Sequence, residues 1–141
     1  MKTGIRLAVA VVALLCAAAV PARADVASAI QDAWSLNLQN YNRHDVDGTM
    51  RTIDSRSPDY ASTKQALEEQ FKDLDVKAEL VKFDYIGHDD EFVVARIKTK
   101  TTGKPGSGFV DNIVDAVVVF HQENGTWKVW NEDILGVQFL Q

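Results

Sequence analysis

The sequence predicts an α+β fold, in which a curved antiparallel sheet packs against helices that precede it in the chain. Two observations carry this prediction. Apolar residues recur every three or four positions up to Leu74, as on one face of a helix, and from Val76 onward they alternate with polar residues, as in a strand with one buried side. Helices first and antiparallel strands afterwards is the order typical of α+β domains.

The first 24 residues have the features of a cleavable secretory signal peptide. A short basic start is followed by 14 apolar residues, Leu7 to Val20, and by Ala22-Arg23-Ala24, the small-x-small pattern after which signal peptidase cuts. The apolar run is shorter than the roughly 20 residues that a membrane-spanning helix needs. We therefore expect a single domain, residues 25–141, that is periplasmic or secreted and is not associated with a membrane after the signal is removed.

The mature chain is expected to be acidic and free of cysteine. Cys16 leaves with the signal, as do three basic residues, so 12 basic and 20 acidic residues remain and the net charge is −8. Such a chain repels a phosphate backbone, and nucleic acid is not an expected partner. Without disulfides, packing alone must hold the remaining 117 residues together.

Three helices are expected before the sheet, each with a start signal of its own. In order, they are Val26–Tyr41 capped by Asp25, Val46–Ile53 capped by Asp45, and a helix that runs from the Ser57-Pro58 pair to about Leu74. The Ser-Pro pair has the form of an N-cap followed by proline at the first helical position.

Four strands are expected after the helices, at residues 76–85, 91–102, 109–122 and 126–134. The two successive apolar residues Leu80-Val81 break the alternation in the first strand and predict a bulge. Asn124-Gly125 is the strongest hairpin signal in the chain, since both residues tolerate positive φ.

This hairpin also sets a register for the last two strands. Counting outward from Asn124-Gly125 pairs Phe120 with Val129 and Ala116 with Asp133, and paired residues share one side of a sheet. A slip of one residue would exchange the two faces. The face so defined is apolar except for three polar residues, Asn112, Asn131 and Asp133.

Those polar residues predict a ligand pocket. Polar side chains on an apolar face must find partners or line a cavity. One interpretation places Asn112 and Asn131 in a pocket roofed by Trp34 and Tyr41, with Asp133 as a catalytic carboxylate; apolar walls with a few polar groups are typical of ligand sites. The alternative is that these groups bond to one another or to backbone and only stabilise the packing.

Four segments resemble the nuclear transport factor 2-like superfamily, which includes the SnoaL-like and ketosteroid-isomerase-like proteins. They are Tyr41–Gly48, Asp54–Tyr60, Phe109–Asn112 and Glu123–Asn131. The resemblance implies a cone-shaped, cystatin-like sheet wrapped around a long N-terminal helix with two further helices, a pocket at the open end, and a protein that is often dimeric. It implies a fold and no particular reaction.

Three functions remain open at this point. The first is an exported binding domain whose pocket holds a small apolar molecule. The second is an enzyme of the lyase, isomerase or hydrolase type, with Asp133 as general base and Tyr41, Asn112 or Asn131 as hydrogen-bond donors. The third is a non-catalytic interaction module, in which the outer sheet face and the apolar tail Ile134–Leu140 pack on a partner. The same two surfaces predict a homodimer.

Metal and cofactor sites are not expected. His44, His88 and His121 lie far apart in the sequence, and none has a second ligand at metal-binding spacing. The chain also has no phosphate-binding loop or dinucleotide fingerprint.

Overall fold

The computed structural model describes residues 23–141, so the predicted signal peptide lies outside the described residues apart from its last two. The elements are α1 (Arg23–Asn42), α2 (Val46–Arg51), α3 (Tyr60–Asp73), β1 (Val76–His88), β2 (Phe92–Gly103), β3 (Asn112–Glu123) and β4 (Thr126–Phe139). The α+β class is confirmed: three helices cover one face of a curved four-stranded antiparallel sheet. None of the helices within residues 23–141 is long and apolar enough to cross a membrane.

The first helix supplies the centre of the core. Its apolar stripe is buried against the sheet at four positions one turn apart, Val26, Ile30, Trp34 and Leu38. Each such side chain contributes roughly 2 kcal/mol when removed from water. The helix begins before Asp25, so that residue lies in the first turn and not at the predicted N-cap; a negative charge there still complements the helix dipole.

The two shorter helices differ in how they start. The Asp45 side chain accepts a hydrogen bond from the Gly48 amide (2.8 Å), which confirms it as the cap of α2. A Cβ atom at Gly48 would lie 2.1 Å from that carboxylate, so only glycine fits. The predicted start of α3 is wrong: the helix begins at Tyr60, after an N-cap at Asp59. The Ser57 hydroxyl accepts a hydrogen bond from the Asp59 amide (3.3 Å) and donates to the carbonyl of Trp130 (2.6 Å).

The sheet is a meander in the order β1-β2-β3-β4. The predicted bulge in β1 is confirmed at Val81, and a further one falls at Ile86. The predicted hairpin is confirmed as well, since Asn124 and Gly125 have φ angles of 51° and 79° and the strands pair on either side of them.

The predicted register of β4 holds only close to the hairpin. Phe120 pairs with Val129 as expected, but the next pair is Val119 with Asn131. Trp130 is therefore an extra residue on β4 and forms a bulge. The sequence pattern does not predict this bulge. One extra residue exchanges the faces of everything that follows it.

The bulge reverses the predicted positions of two acidic residues. Glu132 pairs with Val118, which is buried on the inner, helix-facing side of the sheet. Asp133 pairs with Val117 and not with Ala116, so it lies on the outer face. The prediction that Asp133 shares the apolar face is thus wrong, and Glu132 takes its place.

The apolar tail is a continuation of β4. A second bulge at Leu135 restores the original phase, and the strand extends to Phe139 alongside β3. Val137 and Phe139 share the inner face but lie beyond the part that the helices cover, and both are exposed. The strand therefore leaves an apolar strip uncovered at the open end of the sheet.

Candidate functional site

Two adjoining cavities lie between α1 and β4. The first, of about 300 Å³, is bounded by the helices and β4; the second, of about 190 Å³, is bounded by α1 and the inner face of the sheet. The volume of the first cavity lies at the lower end of the range typical of small-ligand pockets, about 300 to 1,000 Å³. The residues that line both cavities are Trp34, Asn37, Tyr41, Glu132 and Ile134.

Glu132 is the carboxylate that both cavities share. Its side chain is exposed where it borders the two cavities. Burial raises the pKa of Glu132 above the ordinary value for a glutamate, and no hydrogen bond offsets it. Within residues 23–141 its carboxylate has no hydrogen-bonding or ion-pair partner.

Tyr41 is a hydroxyl donor in the same walls. The Gln70 side-chain amide donates to the Tyr41 oxygen (2.6 Å), and the tyrosine ring packs edge-on against Phe71 at 5.2 Å. Burial raises the pKa of Tyr41, although the bond from Gln70 acts in the opposite direction. The hydroxyl therefore stays protonated at neutral pH, and its own proton is left to donate to a ligand.

Trp34 and Asn37 come from the same helix face as Tyr41, because spacings of three and four residues follow the helical repeat. The Trp34 ring packs edge-on against Phe120, with centroids 6.5 Å apart. Its buried indole N–H finds no acceptor within residues 23–141. The Asn37 amide donates to the hydroxyl of Thr52 (2.7 Å), which joins α1 to the end of α2.

The structure brings three of the five predicted site residues together. Trp34, Tyr41 and Asn131 all line the larger cavity. Asn112 does not line either cavity: it pairs with Phe139 at the far end of β3, and its amide donates to the carbonyl of Val110.

Asp133 is also absent from both cavities. On the outer face it accepts a hydrogen bond from the Asn131 amide (3.1 Å) in an exposed position. Asn131 itself belongs to the outer face by its pairing with Val119, and it also borders the larger cavity, beside the Trp130 bulge. The shifted register explains why Glu132, and not Asp133, lines the cavities.

Sequence reasoning missed several lining residues. Asn37 could have been found, since it lies between Trp34 and Tyr41 on one helix face. Asp59, which lines the larger cavity, follows Pro58 and was assigned to a helix that begins later than predicted. Glu132 could not have been found, because nothing in Trp130-Asn131-Glu132 marks the bulge.

A buried carboxylate outside the cavities was missed as well. Asp54 is fully inaccessible to solvent, although its partner Arg56 is 58% exposed. It accepts bonds from Nε (3.1 Å), Nη2 (3.0 Å) and the backbone amide (2.9 Å) of Arg56, and from Nδ1 of His121 (2.7 Å). Burial alone would raise the pKa of Asp54, but these bonds outweigh it and hold the pKa far below the ordinary range.

A larger cavity, of about 430 Å³, opens at the hairpin end of the sheet. Its walls include the turn residues Asp89, Asp90 and Glu91, which are exposed. The Asp89 carboxylate already accepts bonds from the backbone amides of Glu91 and Phe92, both at 2.8 Å. These two bonds stabilise the turn and lower the pKa of Asp89. Because this carboxylate already has partners and Glu132 has none, the cavities around Glu132 are the better candidate site.

The described part of the chain, residues 23–141, holds no group of three histidine, cysteine or acidic side chains arranged to bind a metal ion. The polar groups that line the cavities include the carboxylates of Glu132 and Asp59, the hydroxyl of Tyr41 and the indole N–H of Trp34, beside apolar side chains such as Ile53 and Leu67.

Comparison with known proteins identifies the fold and the family. Solved structures with the same fold include a candidate aromatic ring hydroxylase from Novosphingobium aromaticivorans, which is 13% identical over 85% of this chain and 96% of that chain, with a TM-score of 0.65. A candidate scytalone dehydratase from the same organism is 9% identical over 84% of this chain and 89% of that chain, with a TM-score of 0.67. An NTF-2 like protein of unknown function from Shewanella oneidensis is 9% identical over 76% of this chain and 96% of that chain, with a TM-score of 0.60. At such low identity these likenesses establish the fold alone. No curated protein sequence matches the chain significantly.

One family profile, described as the C-terminal domain of the anti-sigma-I factor RsgI9, matches residues 33–140. This match covers most of the chain, from the middle of α1 to the end of β4. The chain therefore belongs to the family of the RsgI9 C-terminal domain, with the fold of the nuclear transport factor 2-like superfamily.

Proposed function

We propose that this protein is an exported domain that binds a small, mainly apolar molecule in the paired cavities between α1 and β4, without altering it. The proposal of export is supported by the signal-like segment at residues 1–24. The proposal of binding is supported by one observation above all: the buried indole N–H of Trp34, a residue that lines both cavities, has no acceptor within residues 23–141. A buried polar group is costly unless something satisfies it.

Native mass spectrometry of protein purified from its own cell envelope tests both parts. We expect a chain that begins at Asp25 and carries a bound molecule. The variant Ile134→Trp should fill the space shared by the cavities and abolish co-purification, whereas Leu135→Trp, one residue along on a bulge outside them, should not. A ligand-free wild-type protein, or equal loading of both variants, would contradict the binding proposal.

An acid–base enzyme of the lyase, isomerase or hydrolase type is the second candidate. The observation that favours it is that a carboxylate and a hydroxyl donor, Glu132 and Tyr41, line the same two cavities. In this enzyme hypothesis the general base is Glu132 and not Asp133. Turnover of the co-purified molecule by the wild type, lost in Glu132→Gln with binding retained, would favour the enzyme over the binding domain.

We further propose that the protein forms a homodimer through the outer face of the sheet and the end of β4. The support is an apolar centre on that face, which includes Val94, Val117 and Val119, and the exposed Leu135 and Phe139. Light scattering at micromolar concentration should give twice the monomer mass, and Val117→Lys should give the monomer while remaining folded in a thermal melt. A wild-type monomer across that range would contradict the dimer.

A further inference from the structure

Glu132 is an unpaired negative charge that both cavities share. Its side chain is exposed where it borders them, and its carboxylate has no cationic or hydrogen-bonding partner within residues 23–141. A carboxylate without a protein partner is free to pair with a cationic ligand. The bulge at Trp130 is what turns this carboxylate inward, since without the extra residue it would lie on the solvated outer face.

The surrounding walls supply no positive charge. Among the residues that line the two cavities, the charged ones are Glu132 and Asp59, and none is a lysine, arginine or histidine. Asp59 stands at the start of α3, where its side chain makes no capping bond. The site therefore attracts cations and repels anions.

The remaining walls suit a cation attached to an apolar body. Trp34 and Tyr41 line both cavities, and aromatic rings attract cations at their faces. Ile53 and Leu67 provide an aliphatic surface in the larger cavity, where a hydrocarbon body would be removed from water.

We propose that the ligand is a cationic amphiphile, with one amine head group that pairs with Glu132 and an apolar body that fills the space between α1 and β4. This inference rests on the proposed binding function and names the class of molecule that the same cavities select. The amine supplies the counter-charge that the carboxylate lacks, and a charge-assisted bond of this kind is stronger than a neutral one.

Three probes that differ only in head group test the proposal: octylamine, octanol and octanoate, titrated below their aggregation limits by calorimetry at neutral pH. We expect octylamine to bind about tenfold more tightly than octanol, and octanoate to bind more weakly than either. Octanol or octanoate binding as tightly as octylamine would overturn the inference while leaving the binding function intact. No binding by any of the three would overturn both.

Two variants separate the cavity from the acidic surface of the protein. Glu132→Gln keeps the shape of the side chain and removes its charge, and it should reduce octylamine affinity about tenfold while leaving octanol unchanged. Asp133→Asn removes one charge from the next residue, which faces away from the cavities, and should leave octylamine affinity unchanged. If the amine preference survives in Glu132→Gln, or is lost equally in both variants, the inference is wrong.

Discussion

Replacing Asp54 by alanine is expected to lower the free energy of unfolding by about 3 kcal/mol. The wild-type carboxylate is inaccessible to solvent and accepts four hydrogen bonds, three from Arg56 and one from His121. Removing one partner of a buried ionic network leaves the others without compensation. The expected loss is near the lower end of what buried pairs show, because the Arg56 side chain of this network is itself 58% exposed.

The same network should give the protein a specific response to acid. Folding lowers the pKa of Asp54 far below its ordinary value. A group of this kind contributes stability that is fully present above its unfolded pKa, roughly 4, and is lost as the pH falls from there toward the folded pKa. The difference in stability between the wild type and Asp54→Ala should therefore be constant at neutral pH and shrink below about pH 4.

Urea unfolding at several pH values measures both effects, and a second aspartate–arginine pair provides the control. Asp115 accepts bonds from Nε (2.9 Å) and Nη2 (2.7 Å) of Arg96, in a two-point geometry like that of Asp54, but on the outer face of the sheet. Arg96 is 49% exposed and Asp115 is in partial contact with solvent. Pairs that solvent screens contribute little to stability, so Asp115→Ala should unfold at nearly the wild-type urea concentration. Equal losses in the two variants would contradict the view that burial makes the Asp54 network important.

This network matters for the site because it fixes the segment that borders it. The Asp54 amide donates to the carbonyl of Val129 (2.8 Å), and the Val129 amide donates to the carbonyl of Thr52 (2.9 Å). Residues 52–57 are thereby held along the edge of β4, immediately before Asp59 at the rim of the larger cavity. A variant with a weakened network should also loosen that wall.

The elements with strong local signals were predictable from the sequence. The apolar periodicity located α1, the cap at Asp45 located α2, and the positive-φ pair Asn124-Gly125 located the last hairpin. The Leu80-Val81 pair marked a bulge because a break in an alternating pattern is visible in the sequence itself. Each of these features depends on neighbouring residues alone.

The side of the sheet on which each site residue of β4 lies was not predictable from the sequence, for a physical reason. Asn131, Glu132 and Asp133 are all polar, so the alternation that would reveal which of them points inward is missing after Trp130. The bulge there is held by tertiary contacts: the Trp130 carbonyl accepts from Ser57, and Val129 pairs with the segment before α3. The bond between Asp54 and His121 joins residues 67 positions apart, and no local pattern records it.

Truncating Phe120 to alanine should cost more than any other single change considered, about 4 kcal/mol in the free energy of unfolding. The side chain is fully buried in the middle of the inner face, where it meets the edge of the Trp34 ring and pairs across the sheet with Val129. Neighbours on three sides belong to different elements, so the cavity left by the ring cannot close by moving one of them.

Phe139 is the matched control for this change. It lies on the same inner face of the sheet but is 67% exposed at the end of β4, so Phe139→Ala should change the unfolding free energy of the monomer very little. Chemical unfolding at low protein concentration compares the two variants, and a loss below about 1 kcal/mol for Phe120→Ala would contradict its place in the core. A loss for Phe139→Ala that grows with protein concentration would mean that a second copy covers the strip, because only association makes stability depend on concentration.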